Sequence, residues 1–220
     1  MPNNLKALDY SNLSATTYAT LCDAIISGRF KSGDRLKIRE IAKELGTSVT
    51  PVRDAILRLT NDEAVVFRSP RDIRIPILIQ SRYLEIRAIR LRLESLAAEN
   101  AAREATRADV ADLSKILEQN EKAIAEGDAA RGTALNQAFH FRLPLIAKMP
   151  ILYGTLRRIW LQMGPLIADA YIDGGRSMID HHYPIVDAIK RRDPPAAAEA
   201  ITRDILLGGD AILERVPETA

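Results

Sequence analysis

The chain has 220 residues, 31 basic against 29 acidic, with a formal net charge of +2 and a hydrophobic share of 47%. That balance excludes disordered, collagen-like and low-complexity proteins, supplies enough apolar residues for one large domain or two modest ones, and nominates no partner by charge. Apolar runs such as Ile77-Leu78-Ile79 fall far short of the ~18 residues a membrane span needs, and no charged stretch followed by an apolar one opens the chain, so a cytoplasmic protein without membrane contact is expected.

Ala, Leu, Ile, Glu and Arg dominate and aromatic residues make up 5%, which predicts a mostly α fold. Tyr18, Leu21, Cys22, Ile25 and Ile26 follow the i, i+3, i+4, i+7, i+8 stripe of a first amphipathic helix, ended by Gly28 and Ser32-Gly33-Asp34. Cys22 is the sole cysteine, so an intramolecular disulfide, a Cys-based zinc site and a redox pair are all excluded. A short second helix buries Ile38, Ile41, Ala42 and Leu45 and stops at Gly46. Ser48 is placed to cap a third helix with Pro51 in its first turn; Val52, Ala55, Ile56 and Leu59 face inward, leaving Thr50, Arg53, Leu57 and Arg58 outside. Two β-type runs around Ser69-Pro70-Arg71-Asp72 make a hairpin over 65–75, closed by Pro76.

Two short helices joined by a glycine turn, the second opening on small hydroxyl residues and an arginine, form a helix-turn-helix, and the hairpin with Arg68, Arg71 and Arg74 supplies a wing. A major groove roughly 12 Å wide admits one helix, whose arginines reach guanine edges while its N-terminal N–H groups approach phosphate. A boundary near residue 78 divides a domain at 1–78 from one at 79–220. Residues 1–80 carry 12 basic and 9 acidic side chains, a net of +3, and residues 81–220 carry 19 and 20, a net of −1.

This first domain resembles the GntR family of winged-helix transcription regulators. The resemblance rests on Gly33-Asp34-Arg35-Leu36, on Arg39-Glu40-Ile41-Ala42-Lys43-Glu44-Leu45-Gly46, and on Ser48-Val49-Thr50-Pro51-Val52-Arg53-Asp54-Ala55-Ile56-Leu57-Arg58-Leu59. It implies operator contacts from Arg39, Ser48, Thr50, Pro51, Arg53, Arg58 and, in the wing, Arg71. Two departures weaken the attraction for DNA: Val49 stands where the family generally has Arg, and Asp72 where the wing usually has Gly.

Residues 81–126 read as two long helices, the first lined by Ile86, Ile89, Leu93, Leu96 and Ala97, the second opened by a Thr106–Asp109 capping box and ended by Gly127. Segments 128–149, 150–172, 177–192 and 194–213 complete an antiparallel six-helix bundle, with no phosphate loop, Gly-x-Ser-x-Gly elbow or His-Glu-x-x-His string. Asn136 and His140 are spaced i, i+4 and share a helix face, His182 opens the next-to-last helix, and Asp204 lies in the last. From spacing alone, the ordinary reading of such histidines is a satisfied core or surface residue.

The body resembles the FCD effector-binding domain of the FadR branch of that family, in its six-helix, VanR-like form, through Arg90-x-x-Leu93-Glu94, Asn136-x-x-Phe139-His140 and His182-x-x-Ile185-x-x-Ala188-Ile189. The resemblance implies a homodimeric repressor on a double-stranded DNA operator and a small carboxylate effector bound by Arg90, with Arg87, Arg142 and Arg176 as further candidates. It also implies a divalent metal such as zinc or nickel on Asn136, His140, His182 and Asp204, although here Asn136 replaces the family's Asp and Asp204 its last His. Losing a nitrogen donor for a neutral amide oxygen favours harder ions. Two alternatives stay open: a metal-dependent enzyme built on the same four residues, and a DNA-binding dimer with a vestigial pocket.

Overall fold

A computed structural model describes residues 11–219. Helices α1 (Ser11–Ile26), α2 (Ile38–Glu44) and α3 (Val49–Asn61) precede the strands β1 (Val66–Ser69) and β2 (Asp72–Arg74). Gly46 adopts φ +62, the left-handed turn that only a residue without Cβ takes cheaply, and so separates α2 from α3. Leu21, Cys22, Ile25 and Ile26 of α1 pack against Val52, Ala55, Ile56 and Leu59 of α3, all 3% exposed or less. Ser48 holds the N-cap position of α3, but its hydroxyl makes no capping hydrogen bond, contrary to the sequence expectation.

β1 and β2 pair antiparallel, Val66 opposite Arg74 and Phe67 opposite Ile73, with a register shift between Phe67 and Ser69. The segment before α2 adds a third partner that sequence did not announce. Leu36 N–H donates to Ile73 O at 2.8 Å, and Gly33 N–H and Ile75 N–H exchange bonds with Ile75 O and Asp34 O. This ladder anchors the wing to the helix-turn-helix.

The body comprises α4 (Gln80–Glu104), α5 (Arg107–Ala125), α6 (Ala129–Ile146), α7 (Pro150–Gly174), a 3-10 turn (Gly175–Met178), α8 (His182–Lys190) and α9 (Pro194–Leu213). The capping box of α5 forms: Asp109 N–H donates to Thr106 Oγ1 at 3.2 Å and Thr106 N–H to Asp109 Oδ2 at 2.9 Å. Residues 177–181, expected in the helix that follows, instead belong to the 3-10 turn and its exit, because Gly175 at φ +52 ends α7 in a tight reversal. Among the described residues no helix is long and apolar enough to cross a membrane.

Two departures matter for the site. Ile89 and Leu96, expected on the buried face of α4, are about 40% exposed, whereas Arg90 and Glu94 are buried. The inward face of α4 is therefore polar at its centre: Ile86, Leu93 and Ala97 face the core as expected, but Ile89 and Leu96 do not. Secondly, α1 meets α7 backbone to backbone: a Cβ on Gly164 would stand 2.5 Å from Ile26 Cα, and one on Gly28 2.0 Å from Ala168 Cβ. Head and body thus share a close contact besides the linker.

Candidate functional site

On the head, a groove of about 550 Å³ lies between α2, the start of α3 and the wing, and brings together Arg39, Val49, Arg53 and Arg71 with Arg35 and Lys37. Arg39, Arg53 and Arg71 are exposed, and among the described residues their side chains pair with no carboxylate, so their charge is available to a polyanion. Ser48 and Thr50 are exposed beside them at the start of α3. Pro51 is buried, which corrects its expected contact: it shapes the first turn of α3 and turns away from the groove. Arg58 is exposed but lies outside this groove, its guanidinium 4.0 Å over the Tyr18 ring on the α1 side of α3.

The wing explains what Asp72 does. Its carboxylate takes Arg74 Nε at 2.7 Å and stands 3.8 Å from Arg68 Nη1, so two of the three wing arginines face a local anion before any DNA arrives. Asp72→Asn is expected to tighten DNA binding on the order of threefold to tenfold and to steepen its salt dependence, because exposed ion pairs are weak and both cations are released to phosphate. Fluorescence anisotropy over a salt series measures this, and unchanged affinity and slope would remove Asp72 from the account.

Inside the body, Glu94 is fully buried and accepts three hydrogen bonds: Arg90 Nε at 2.5 Å, His140 Nδ1 at 2.7 Å and Trp160 Nε1 at 3.2 Å. Burial alone would raise its carboxyl, but Arg90 and His140 outweigh it and bring Glu94 down to about 2. Because an ionised carboxylate only accepts, His140 donates to Glu94 through Nδ1–H, and its Nε2 stands 3.5 Å from Asp204 Oδ2. Arg90 also stacks 4.6 Å from the Trp160 ring centroid.

His182 stacks on Phe139 at 4.2 Å and is 1% exposed. Its Nε2 stands 3.3 Å from Asp204 Oδ1, yet neither ring nitrogen makes a hydrogen bond. Burial drives His182 well below its ordinary value, so the contact is between a neutral imidazole and a carboxylate rather than an ion pair. Burial also raises Asp204, which His140 and Arg90 only partly offset. His140, His182 and Asp204 bring one donor atom each within 4.8 Å of one another. Two imidazole nitrogens and one carboxylate suit a divalent cation, which would satisfy one of the two orphaned ring nitrogens of His182.

Asn136, one turn before His140, lines a cavity of about 30 Å³ together with Arg90, His140, Asp204, Gly208 and Gly209. The four residues nominated as metal ligands and Arg90 are thus gathered in one place. The other arginines are not. Arg87 pairs with Asp210 at 2.8 Å beyond the cavity; Arg142 is held outside by Asp109 and Asp112, both at 2.9 Å; and Arg176 is held by Glu121 at 2.8 Å and Asp180 at 3.0 Å. Each has found a surface carboxylate on its own side of the bundle. Sequence reasoning placed Glu94 only within the Arg90-x-x-Leu93-Glu94 motif and missed Trp160; the single Trp and the i, i+4 Arg–Glu spacing were the available signals.

Comparison with known proteins bears on both halves. The gntR family of bacterial regulatory proteins matches residues 13–75, and the FCD domain matches residues 85–206. The HTH-type transcriptional regulator McbR of Escherichia coli (strain K12) is 31% identical over 170 residues, 76% of this chain and 77% of that protein. The gluconate operon transcriptional repressor of Bacillus subtilis (strain 168) is 28% identical over 77% of this chain and 72% of that protein. The solved structure of E. coli McbR/YncC superposes with a TM-score of 0.86 at 27% identity, covering 93% of this chain and 98% of that one. These families and relatives are transcription regulators, which overturns the metal-dependent enzyme alternative. A winged helix-turn-helix that leaves Arg39, Arg53 and Arg71 without a carboxylate partner among the described residues, joined to an FCD body, makes this chain a member of the GntR family of DNA-binding transcription regulators.

Proposed function

We propose that the chain is a ligand-responsive repressor that binds a pseudo-palindromic operator as a homodimer, with residues 1–78 as the DNA-binding domain and 79–220 as the effector and dimerisation domain. The observation that carries this reading is the buried His140, His182 and Asp204 cluster, of which His140 and Asp204 line one cavity with Arg90. Arg39, Ser48, Thr50, Arg53 and Arg71 are assigned to operator contact. Dimerisation follows from the recognition helix, since two copies must enter major grooves on one face of the duplex. Repression is supported by the likeness to a gluconate operon repressor.

In this reading His140, His182 and Asp204, with Asn136 as a fourth, weaker oxygen donor, would hold a divalent metal such as zinc or nickel, which would supply a Lewis-acidic point for the carboxylate of an organic acid. Arg90 would meet the same carboxylate. Glu94 fixes the tautomer of His140 and shares the Arg90 guanidinium. A cavity of about 30 Å³ accommodates an ion and water, whereas small-molecule sites span ~300–1,000 Å³, so the effector enters by displacing a wall. Gly208 and Gly209 line that wall, and adjacent glycines inside a helix are its weakest stretch.

The displacement has a path to the head. Ile167 of α7 lines the cavity and Met163 meets Arg90, while Gly164 and Ala168 of the same helix press on α1 and Gly28. An ion pair from Arg82 at the start of α4 to Glu63 after α3 gives the linker a second tie. Effector binding then shifts the population between two head placements by the difference in its affinity for them.

Elemental analysis tests the metal. Full chain incubated with zinc or nickel and desalted is expected to retain about one ion per chain, and the His140→Ala/His182→Ala variant to retain less than a tenth of that. Equal content in both removes the site. The small cavity favours one rival, a DNA-binding dimer with a vestigial pocket; it predicts no change in Tm with any carboxylic acid, whereas an effector at 100 times its Kd stabilises by about 2.7 kcal/mol.

A further inference from the structure

A second cavity lies outside the interior site, where head meets body. It is an open cleft of about 780 Å³ bounded by α1, the C-terminal part of α3 and the first half of α7, within the range of small-molecule sites. We propose that this cleft binds a small dianion, a phosphate monoester or a dicarboxylate, bridging Arg58 of the head and Arg158 of the body.

The charges are arranged for it. Arg58 is pre-positioned 4.0 Å over the Tyr18 ring, and among the described residues no carboxylate pairs with it. Arg158 is anchored by Asp62, whose Oδ1 accepts both Nε and Nη2 at 2.7 Å, yet its side chain is 68% exposed, so the rest of its fork faces the cleft. The charge of Asp62 is already met by Arg158: its side chain is 5% exposed and its other oxygen accepts the Tyr18 hydroxyl at 2.5 Å. Arg157, also in the wall, is held by Asp23 at 2.8 Å. Three arginines therefore meet two carboxylates, buried Asp62 and exposed Asp23, which leaves Arg58 uncompensated, and planar guanidinium forks match the oxygens of phosphate and carboxylate.

The placement gives the site a regulatory meaning distinct from the interior one. Arg58 belongs to α3, whose other face carries Arg53, while Arg157 and Arg158 belong to α7, whose other side meets the Arg90 cavity. An anion held by both helices binds best to one placement of head on body, so it biases the same equilibrium as an interior effector without entering the bundle.

The test is isothermal titration calorimetry of the full chain with inorganic phosphate and, separately, succinate, at constant ionic strength set with chloride. Saturable binding is expected for at least one, weakened about tenfold or more in Arg58→Ala, whose exposed side chain leaves the fold untouched. Binding is expected to persist in His140→Ala, which separates this site from the interior one, and in Arg53→Ala, which separates it from the DNA face. Preference between the two probes identifies the source of the charge. Absence of saturable binding by either, an unchanged constant in Arg58→Ala, or loss in Arg53→Ala overturns the proposal.

Discussion

Glu94→Ala is expected to lower the stability of the chain by about 3–5 kcal/mol and its Tm by roughly 10 °C, because removing one partner of a buried ion pair leaves the other uncompensated. Arg90, His140 and Trp160 all donate to this carboxylate from the interior, and each is 6% exposed or less. Glu94→Gln, which keeps one oxygen acceptor but loses the charge, should fall between wild type and Glu94→Ala. As a control, Glu99, paired with Arg103 on the outer surface, should cost no more than about 1 kcal/mol when replaced by Ala. Thermal denaturation followed by circular dichroism decides this. A Glu94→Ala variant melting within two or three degrees of wild type would show that the polar centre of α4 does not hold the bundle together.

Arg53→Ala should abolish tight operator binding while leaving Tm unchanged. A good bidentate contact to a base is worth about 1–3 kcal/mol, and the proposed homodimer would lose it twice, so affinity should fall by about 30-fold to 20,000-fold. The fold is spared because Arg53 is exposed and, among the described residues, has no partner to leave behind. Duplexes selected from a random pool by the wild-type protein supply the operator, and anisotropy at fixed salt supplies the constants. Full affinity in the variant would remove α3 as the reading helix. A loss that is uniform over all sequences, with a shallower salt slope, would assign Arg53 to phosphate rather than to a base.

The two halves of the chain were legible in the sequence to different degrees. In the head, the stripe of α1, the Gly46 stop and the hairpin around Ser69 to Asp72 are local signals, and each element stands where they put it. The strand-like pairing of Gly33 to Leu36 with β2 was not legible, since nothing in four residues fixes a partner some forty positions away. The same limit explains Arg58: helical periodicity placed it outside α3, but only the neighbouring α1 determined that outside meant Tyr18.

In the body, the sequence by itself determined the helix breaks, the Thr106–Asp109 box and the shared face of Asn136 and His140, because each depends on residues within one or two turns. The tertiary structure decided the rest. It turned Arg90 and Glu94 inward and Ile89 and Leu96 outward, it gave Arg142 and Arg176 surface carboxylates, and it closed the cavity around Arg90 to about 30 Å³. It also joined His140, His182 and Asp204 from three helices within 4.8 Å. The physical reason is common to all of these. Hydrophobic patterning assumes that a buried face is apolar, whereas here the interior of the bundle is organised around one carboxylate whose charge is balanced by groups that only folding brings to it.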